Sequence, residues 1–267
     1  MPLPNATATA TSAPPADPSP TPSPTPQPTA CAETQGKTLQ LEMDSKFLTD
    51  GLRYSIYLPP CYDADPGRTY PVLYLFHGMT SDDTQWVRIG APATADRLIS
   101  SGAVPPFIIV MPYDKLSAQP TGDLFEQAVT EELIPYVQEV FHACPERACR
   151  AAGGLSRGAG WAIHFGLNRP DLFSEIGGHS PAIFEDDGPS LNRKLAAVPP
   201  DLMPAWFLDV GQNDQLLSAA SSFEQTLADM DIPHEWRLYN GTHNEAYWSK
   251  HVEEYLRWYA QGWANQQ

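Results

Sequence analysis

Residues 38–43 and 52–58 alternate apolar and polar side chains, with Asp50-Gly51 between them. A period of two around an Asp-Gly pair predicts an antiparallel hairpin. The pattern then changes. Residues 72–76, 107–111, 151–155 and 206–210 are short, nearly unbroken apolar runs, as expected of strands covered on both faces. Helical periodicity fills the intervals over residues 123–141, 158–168, 215–230 and 245–261, and a shorter helix-like segment covers 189–197. A further strand runs from 235 to 239, and another ends at His179. Buried strands alternating with helices predict an α/β architecture: a mostly parallel central sheet, helices on both faces and the N-terminal hairpin as an antiparallel edge.

Composition sets the limits of that domain. Of 28 prolines in 267 residues, ten lie in the first 30, together with six Thr, six Ala, one charge, no aromatic and no glycine. Such a stretch buries too little apolar surface to offset the entropy of ordering. Residues 1–33 are therefore expected to be a disordered Pro/Thr/Ser/Ala-rich tail or linker, extended because of its prolines. Residues 34–267 form one domain, large enough to bury roughly 70 to 75% of its unfolded surface.

Sixteen Lys and Arg stand against 32 Asp and Glu. That balance excludes a phosphate-tracking surface, so nucleic acid is not an expected partner. It also disfavours anionic lipid, and no apolar run approaches the ~20 residues that span a bilayer. Cys31, Cys61, Cys144 and Cys149 permit three pairings. Spacing favours Cys144 with Cys149 and, across the hairpin, Cys31 with Cys61; four reduced thiols are the plainer alternative. A zinc set of His142, Cys144 and Cys149 lacks a natural fourth ligand, so no metal is expected. Tail, paired cysteines and acidity together point to a secreted or envelope-associated protein. No charged segment followed by an apolar one stands at Met1, so an export signal is taken as already removed.

In parallel sheets, reactive groups collect at the carboxyl ends of the strands. After the strand ending at Leu155 comes Gly154-Leu155-Ser156-Arg157-Gly158. Small residues are needed there because a sharp strand-to-helix turn holds the serine oxygen out at the helix N-terminus. After the strand ending at Val210 comes Asp214, which can orient a histidine, cap the following helix, or both. Asp209, inside the strand, is its weaker competitor. After the strand at 235–239 comes His243, on a loop given freedom by Gly241. His142, His164, His234 and His251 have structural explanations, whereas His179 is a candidate to line the pocket. The order Ser156, Asp214, His243 is nucleophile, acid, base. Backbone N–H groups of Met79, after His77-Gly78, and of Arg157 are the candidates for an oxyanion hole.

Residues 70–78 (Tyr-Pro-Val-Leu-Tyr-Leu-Phe-His-Gly), residues 150–158 (Arg-Ala-Ala-Gly-Gly-Leu-Ser-Arg-Gly), Asp214, and His243 with Tyr247-Trp248 after it resemble the esterase D or "putative esterase" family. Its members include feruloyl and acetylxylan esterases of carbohydrate esterase family 1, S-formylglutathione hydrolases, enterochelin esterases and mycolyltransferases. The resemblance spans residues 39–259. There are two departures: Arg157 stands where such proteins often carry Met, and Ala159-Gly160 replaces a commoner Gly-Gly.

The resemblance implies an α/β-hydrolase fold and cofactor-free hydrolysis of an acyl ester through Ser156, His243 and Asp214. Only about 25 residues separate His179 from the next strand, too few for a large lid. An open site suits a small-molecule or polysaccharide-linked ester of the feruloyl or acetyl type. Trp86 and Trp248 are candidates to stack on an acyl group or a sugar ring, with core packing as the alternative. The same scaffold also serves acyl transfer, thioester hydrolysis or, without the chemistry, binding alone. The complete triad speaks against the last, and the tail and cysteines against a cytosolic thioesterase.

Overall fold

The alternating runs form the predicted hairpin: β1 (Lys37–Met43) pairs antiparallel with β2 (Leu52–Leu58), Met43 lies opposite Leu52, and Gly51 makes the turn at φ 72°. The computed structural model describes residues 31–64 and 66–263. Contacts divide the chain between Cys31 and Ala32, and the unit from Ala32 onward carries every element named below. The tail expected over residues 1–33 lies, as far as residue 30, outside the described residues.

Six more strands follow: β3 (Val72–Phe76), β4 (Ile108–Pro112), β5 (Arg150–Leu155), β6 (Glu175–His179), β7 (Ala205–Gly211) and β8 (His234–Tyr239). The sheet order is β1-β2-β4-β3-β5-β6-β7-β8, parallel from β4 to β8, with β2 antiparallel to β4. The hairpin thus forms one edge, as its alternation predicts. The helices are α1 (Gln85–Arg88), α2 (Ala91–Ser100), α3 (Phe125–Gln127), α4 (Ile134–Val140), α5 (Arg157–Asn168), α6 (Leu191–Ala197), α7 (Leu217–Asp229) and α8 (Glu245–Gln261).

They cover both faces. Val72, Tyr74 and Phe76 of β3 share one core with Trp161 and Phe165 of α5 and Phe223 of α7, while Leu73 and Leu75 share the other with Leu98 of α2 and Tyr255 and Tyr259 of α8. The period of two explains why β3 reads as a continuous apolar run: each face of the sheet has its own core.

Two elements depart from expectation. The single helix predicted over 123–141 is instead α3, a π-helical stretch over Ala128–Leu133, and α4. Pro135 lacks an N–H and removes one intrahelical hydrogen bond, and the widened turn lies just before it. Helix α2, not anticipated, carries Pro92 in its first turn, a usual helix-start signal. Strand β6 ends at His179 as expected, but it reads Glu-Ile-Gly-Gly-His and not as an apolar run. The reason lies in α8: a Cβ at Gly153 or at Gly177, neighbours across β5 and β6, would fall within 2 Å of the Tyr259 hydroxyl. The two glycines form the socket for that ring.

Cys144 and Cys149 are joined in a disulfide just before β5, with Cα atoms 5.9 Å apart. Cys31 and Cys61 are disulfide-bonded as well, and none of the four cysteines is free. The expected pairing of Cys144 with Cys149 therefore stands, and both sulfurs of the zinc alternative are taken. Among the described residues, no helix is long and apolar enough to cross a membrane.

Candidate active site

Ser156 sits at φ 55°, ψ −118°, between β5 and α5. That left-handed conformation costs a non-glycine residue about 1 to 3 kcal/mol and is held by its surroundings. Its N–H donates to the His179 carbonyl at 2.9 Å, and its carbonyl accepts from Ala182 N–H at 3.1 Å. The flanking glycines are required by space. A Cβ on Gly154 would meet the Gly158 backbone at 2.2 Å, and one on Gly158 the Phe76 carbonyl oxygen at 2.1 Å. The turn is pressed against the end of β3, which brings the His77-Gly78-Met79 segment close to Ser156.

His243 Nε2 lies 2.8 Å from Ser156 Oγ, and its Nδ1 lies 2.9 and 3.0 Å from the two oxygens of Asp214. The loops bearing acid and base are tied together: Asn213 N–H donates to the Gly241 carbonyl at 2.9 Å. Asp214 fills both roles left open for it, because Oδ1 also accepts the Leu216 N–H at 2.7 Å. Burial raises the Asp214 pKa, but hydrogen bonds from His243, the Leu216 amide and Ser180 outweigh it and hold the carboxyl below its ordinary value. An ionised Asp214 can orient His243 Nδ1–H and stabilise an imidazolium.

Asp209, the competitor, is turned away from this site. Its Oδ1 accepts His179 Nδ1–H at 2.6 Å and its Oδ2 accepts the Tyr247 and Tyr255 hydroxyls at 2.5 and 2.9 Å. His179 stacks on Tyr255 at 3.6 Å between ring centres. It is fully buried, so the structure places it in the core and not on a pocket wall. Trp86 is likewise buried at 1% exposure, with Nε1–H bonded to the Phe76 carbonyl, and offers no face for stacking. Trp248 does reach the site, but from beneath. Its ring stands edge-on to His243 at 4.9 Å, and its Nε1–H donates to Ser180 Oγ at 3.2 Å.

On the oxyanion side, Gly78 N–H is taken by Gln85 Oε1 at 2.8 Å, and Ser156 Cβ lies 3.6 Å from where a Gly78 Cβ would stand. The next amide is that of Met79. Arg157 is the first residue of α5, where an N–H has no intrahelical acceptor. Its side chain is buried against Asp114, with Nε 2.8 Å from Oδ2. A cavity of about 570 Å³, lined by Phe47, Arg53, Tyr113, Asp114 and Leu124 among others, contains none of the triad.

Three participants escaped sequence reasoning: Ser180, Gln85 and Asp114. Ser180 and Asp114 follow the carboxyl ends of β6 and β4, the position that singled out the triad, but β6 lacks an apolar run and Asp114 lies two residues past β4. Gln85 carries no local signal.

Sheet order, elbow and the three converging side chains define an α/β-hydrolase. The family model described as "Putative esterase" matches residues 45–259, and the chain belongs to that family. Over 134 residues it is 34% identical to an endo-1,4-beta-xylanase/feruloyl esterase of Xylanibacter ruminicola, a match covering 46% of this chain and 18% of that protein. Among solved structures it is similar to a ferulic acid esterase at 25% identity and a TM-score of 0.77, covering 86% of this chain and 99% of that one. In fold it is similar to an S-formylglutathione hydrolase of Staphylococcus aureus (18% identity, TM-score 0.68, 85% and 99% covered). The same holds for a ferulic acid esterase of Anaeromyces mucronatus in complex with ferulic acid (20%, TM-score 0.68, 83% and 90% covered).

Proposed function

We propose that the protein is a secreted serine esterase that removes feruloyl or acetyl groups from carbohydrate through a Ser156-His243-Asp214 triad and an acyl-enzyme. The observation that carries the mechanism is the 2.8 Å contact of His243 Nε2 with a serine oxygen presented by a strained elbow, with Asp214 behind it. Ser156 Oγ attacks the ester carbonyl carbon while His243 Nε2 takes its proton. The oxyanion forms against the Met79 and Arg157 N–H groups, each worth about 3 to 4 kcal/mol in the transition state. His243 then protonates the leaving alcohol, and a water deprotonated by the same nitrogen releases the acid.

The substrate class draws support from the xylanase/feruloyl esterase relative and from the short β6 to β7 connection, where α6 is the longest helix. Two disulfides favour an oxidising compartment, which weighs against a cytosolic thioesterase. The test is Ser156→Ala assayed on methyl ferulate, acetylated xylan and p-nitrophenyl acetate. Turnover is expected to fall to background with the circular dichroism spectrum unchanged, and retained turnover would overturn the mechanism. A wild type active on p-nitrophenyl acetate alone would overturn the substrate class.

A further inference from the structure

Both proposed oxyanion donors lead back to one residue outside the triad. The Met79 N–H belongs to the peptide group whose carbonyl is that of Gly78. In a trans peptide these two groups point in opposite directions, so fixing one aims the other. The Gly78 carbonyl is held by His77 Nδ1–H at 2.7 Å, and His77 Nε2 in turn accepts the Asp114 N–H at 2.9 Å. Accepting at Nε2 leaves the ring's proton on Nδ1, where it reaches Gly78. Burial holds the His77 pKa below its ordinary value, which keeps this neutral form.

The second donor is the Arg157 N–H. The Arg157 guanidinium is buried 5.0 Å from the Phe184 ring centre, with Nε bonded to Asp114 Oδ2 at 2.8 Å and a terminal nitrogen bonded to the Ala118 carbonyl. Asp114 is itself locked: Oδ2 also accepts Trp161 Nε1–H at 2.8 Å, and Oδ1 accepts Ser117 N–H at 3.1 Å.

We propose that Asp114 is a positioning residue for the oxyanion hole. Its backbone N–H sets the Met79 amide through His77, and its carboxylate sets the Arg157 amide through the guanidinium. The inference rests on the serine-esterase reading. It accounts for a buried ion pair directly beside the nucleophile, where an apolar side chain would fill the same space without the cost of desolvating two charges.

The test uses Asp114→Asn, Arg157→Met and the double variant, which leaves no unpaired buried charge and so guards against a single variant that does not fold. Because oxyanion contacts act in the transition state, kcat is expected to fall about 10- to 100-fold in each, with KM within about threefold of wild type. Affinity for an aryl boronic acid is expected to fall by the same factor. Ser156 Oγ adds to boron as its proton passes to His243, and the adduct places an oxygen where the oxyanion would be. The double variant loses no more than the worse single one, since both act along one path. Folded variants that keep kcat within twofold overturn the inference, as does a fall in kcat with boronate affinity unchanged. If a fluorophosphonate fails to label Ser156 in the wild type, the serine mechanism falls and this inference with it. In a labelled, active wild type, unaffected variants overturn this inference alone.

Discussion

Ser156 and Ser180 both occupy left-handed backbone, at φ 55° and 51°, and each is pinned by its amide: Ser156 to the His179 carbonyl, Ser180 to the Asp209 carbonyl at 2.7 Å. The first carries the hydroxyl proposed as nucleophile; the second aims a hydroxyl at Asp214. The proposed triad could be read from the sequence because each member follows a recognisable strand. Choosing Asp214 over Asp209, five residues earlier, needed only the rule that a residue inside a strand is committed to one face of the sheet. Ser180 was not legible, since its contact spans 34 residues and depends on how β6 and β7 pair. Asp214→Asn is expected to lower kcat by about 10³- to 10⁴-fold with little change in KM, because the amide favours the wrong tautomer of His243. Ser180→Ala removes one hydrogen bond to a charged group and should cost about tenfold. Steady-state kinetics on one chromogenic ester checks both, and equal effects of the two changes would contradict the subsidiary place given to Ser180.

At the scale of elements, the glycines of β5, β6 and α5 record where one element touches another. Gly177→Ala sets a methyl 1.8 Å from the Tyr259 hydroxyl, in a core with no room to yield. A loss of about 2 to 4 kcal/mol in urea unfolding is expected, typical of overpacking at a rigid site. A change below about 0.5 kcal/mol would mean that α8 shifts freely over the sheet. Periodicity reported the hairpin, the apolar strands and the long helix α8 well. It missed α2 and failed over residues 123–141, where Pro135 widens a turn inside an apparently continuous helix; at β6 it marked only the end at His179, because a tyrosine fills the space over the strand's glycines.

Across the whole molecule, the triad and the buried acid Glu175 lie at opposite ends of the parallel strands. Glu175 opens β6 and lies beneath the C-terminal end of α8, where a Cβ on Gly262 would meet its Oε1 at 1.9 Å. Burial pushes its carboxyl up to about 7, against a modest opposing pull from Ser174 and Arg147. Below the unfolded value of 4.5, folded and unfolded chains are both protonated and the contribution to stability is complete. As pH rises through 7 the contribution disappears, since only the unfolded chain ionises freely. The span amounts to about 3 kcal/mol at most. Glu175→Gln is therefore expected to gain in Tm over the wild type between pH 5 and pH 8; parallel curves would show that the carboxyl is solvated after all. Removing both Cys144 and Cys149 opens a short loop and should cost about 2 kcal/mol, read as a lower urea midpoint.

Local patterning was enough for the class of fold, because each strand and helix imposes its own period on side chains close in sequence. Packing settled the rest. From the sequence His179 is a pocket candidate and Trp86 stands open between pocket and core, yet both are core because the sheet buries the faces they occupy. The Arg157 side chain turns inward because Asp114, 43 residues away, waits there with a carboxylate. Long-range pairing of that kind follows from the register of strands against one another, and no window along the chain contains it.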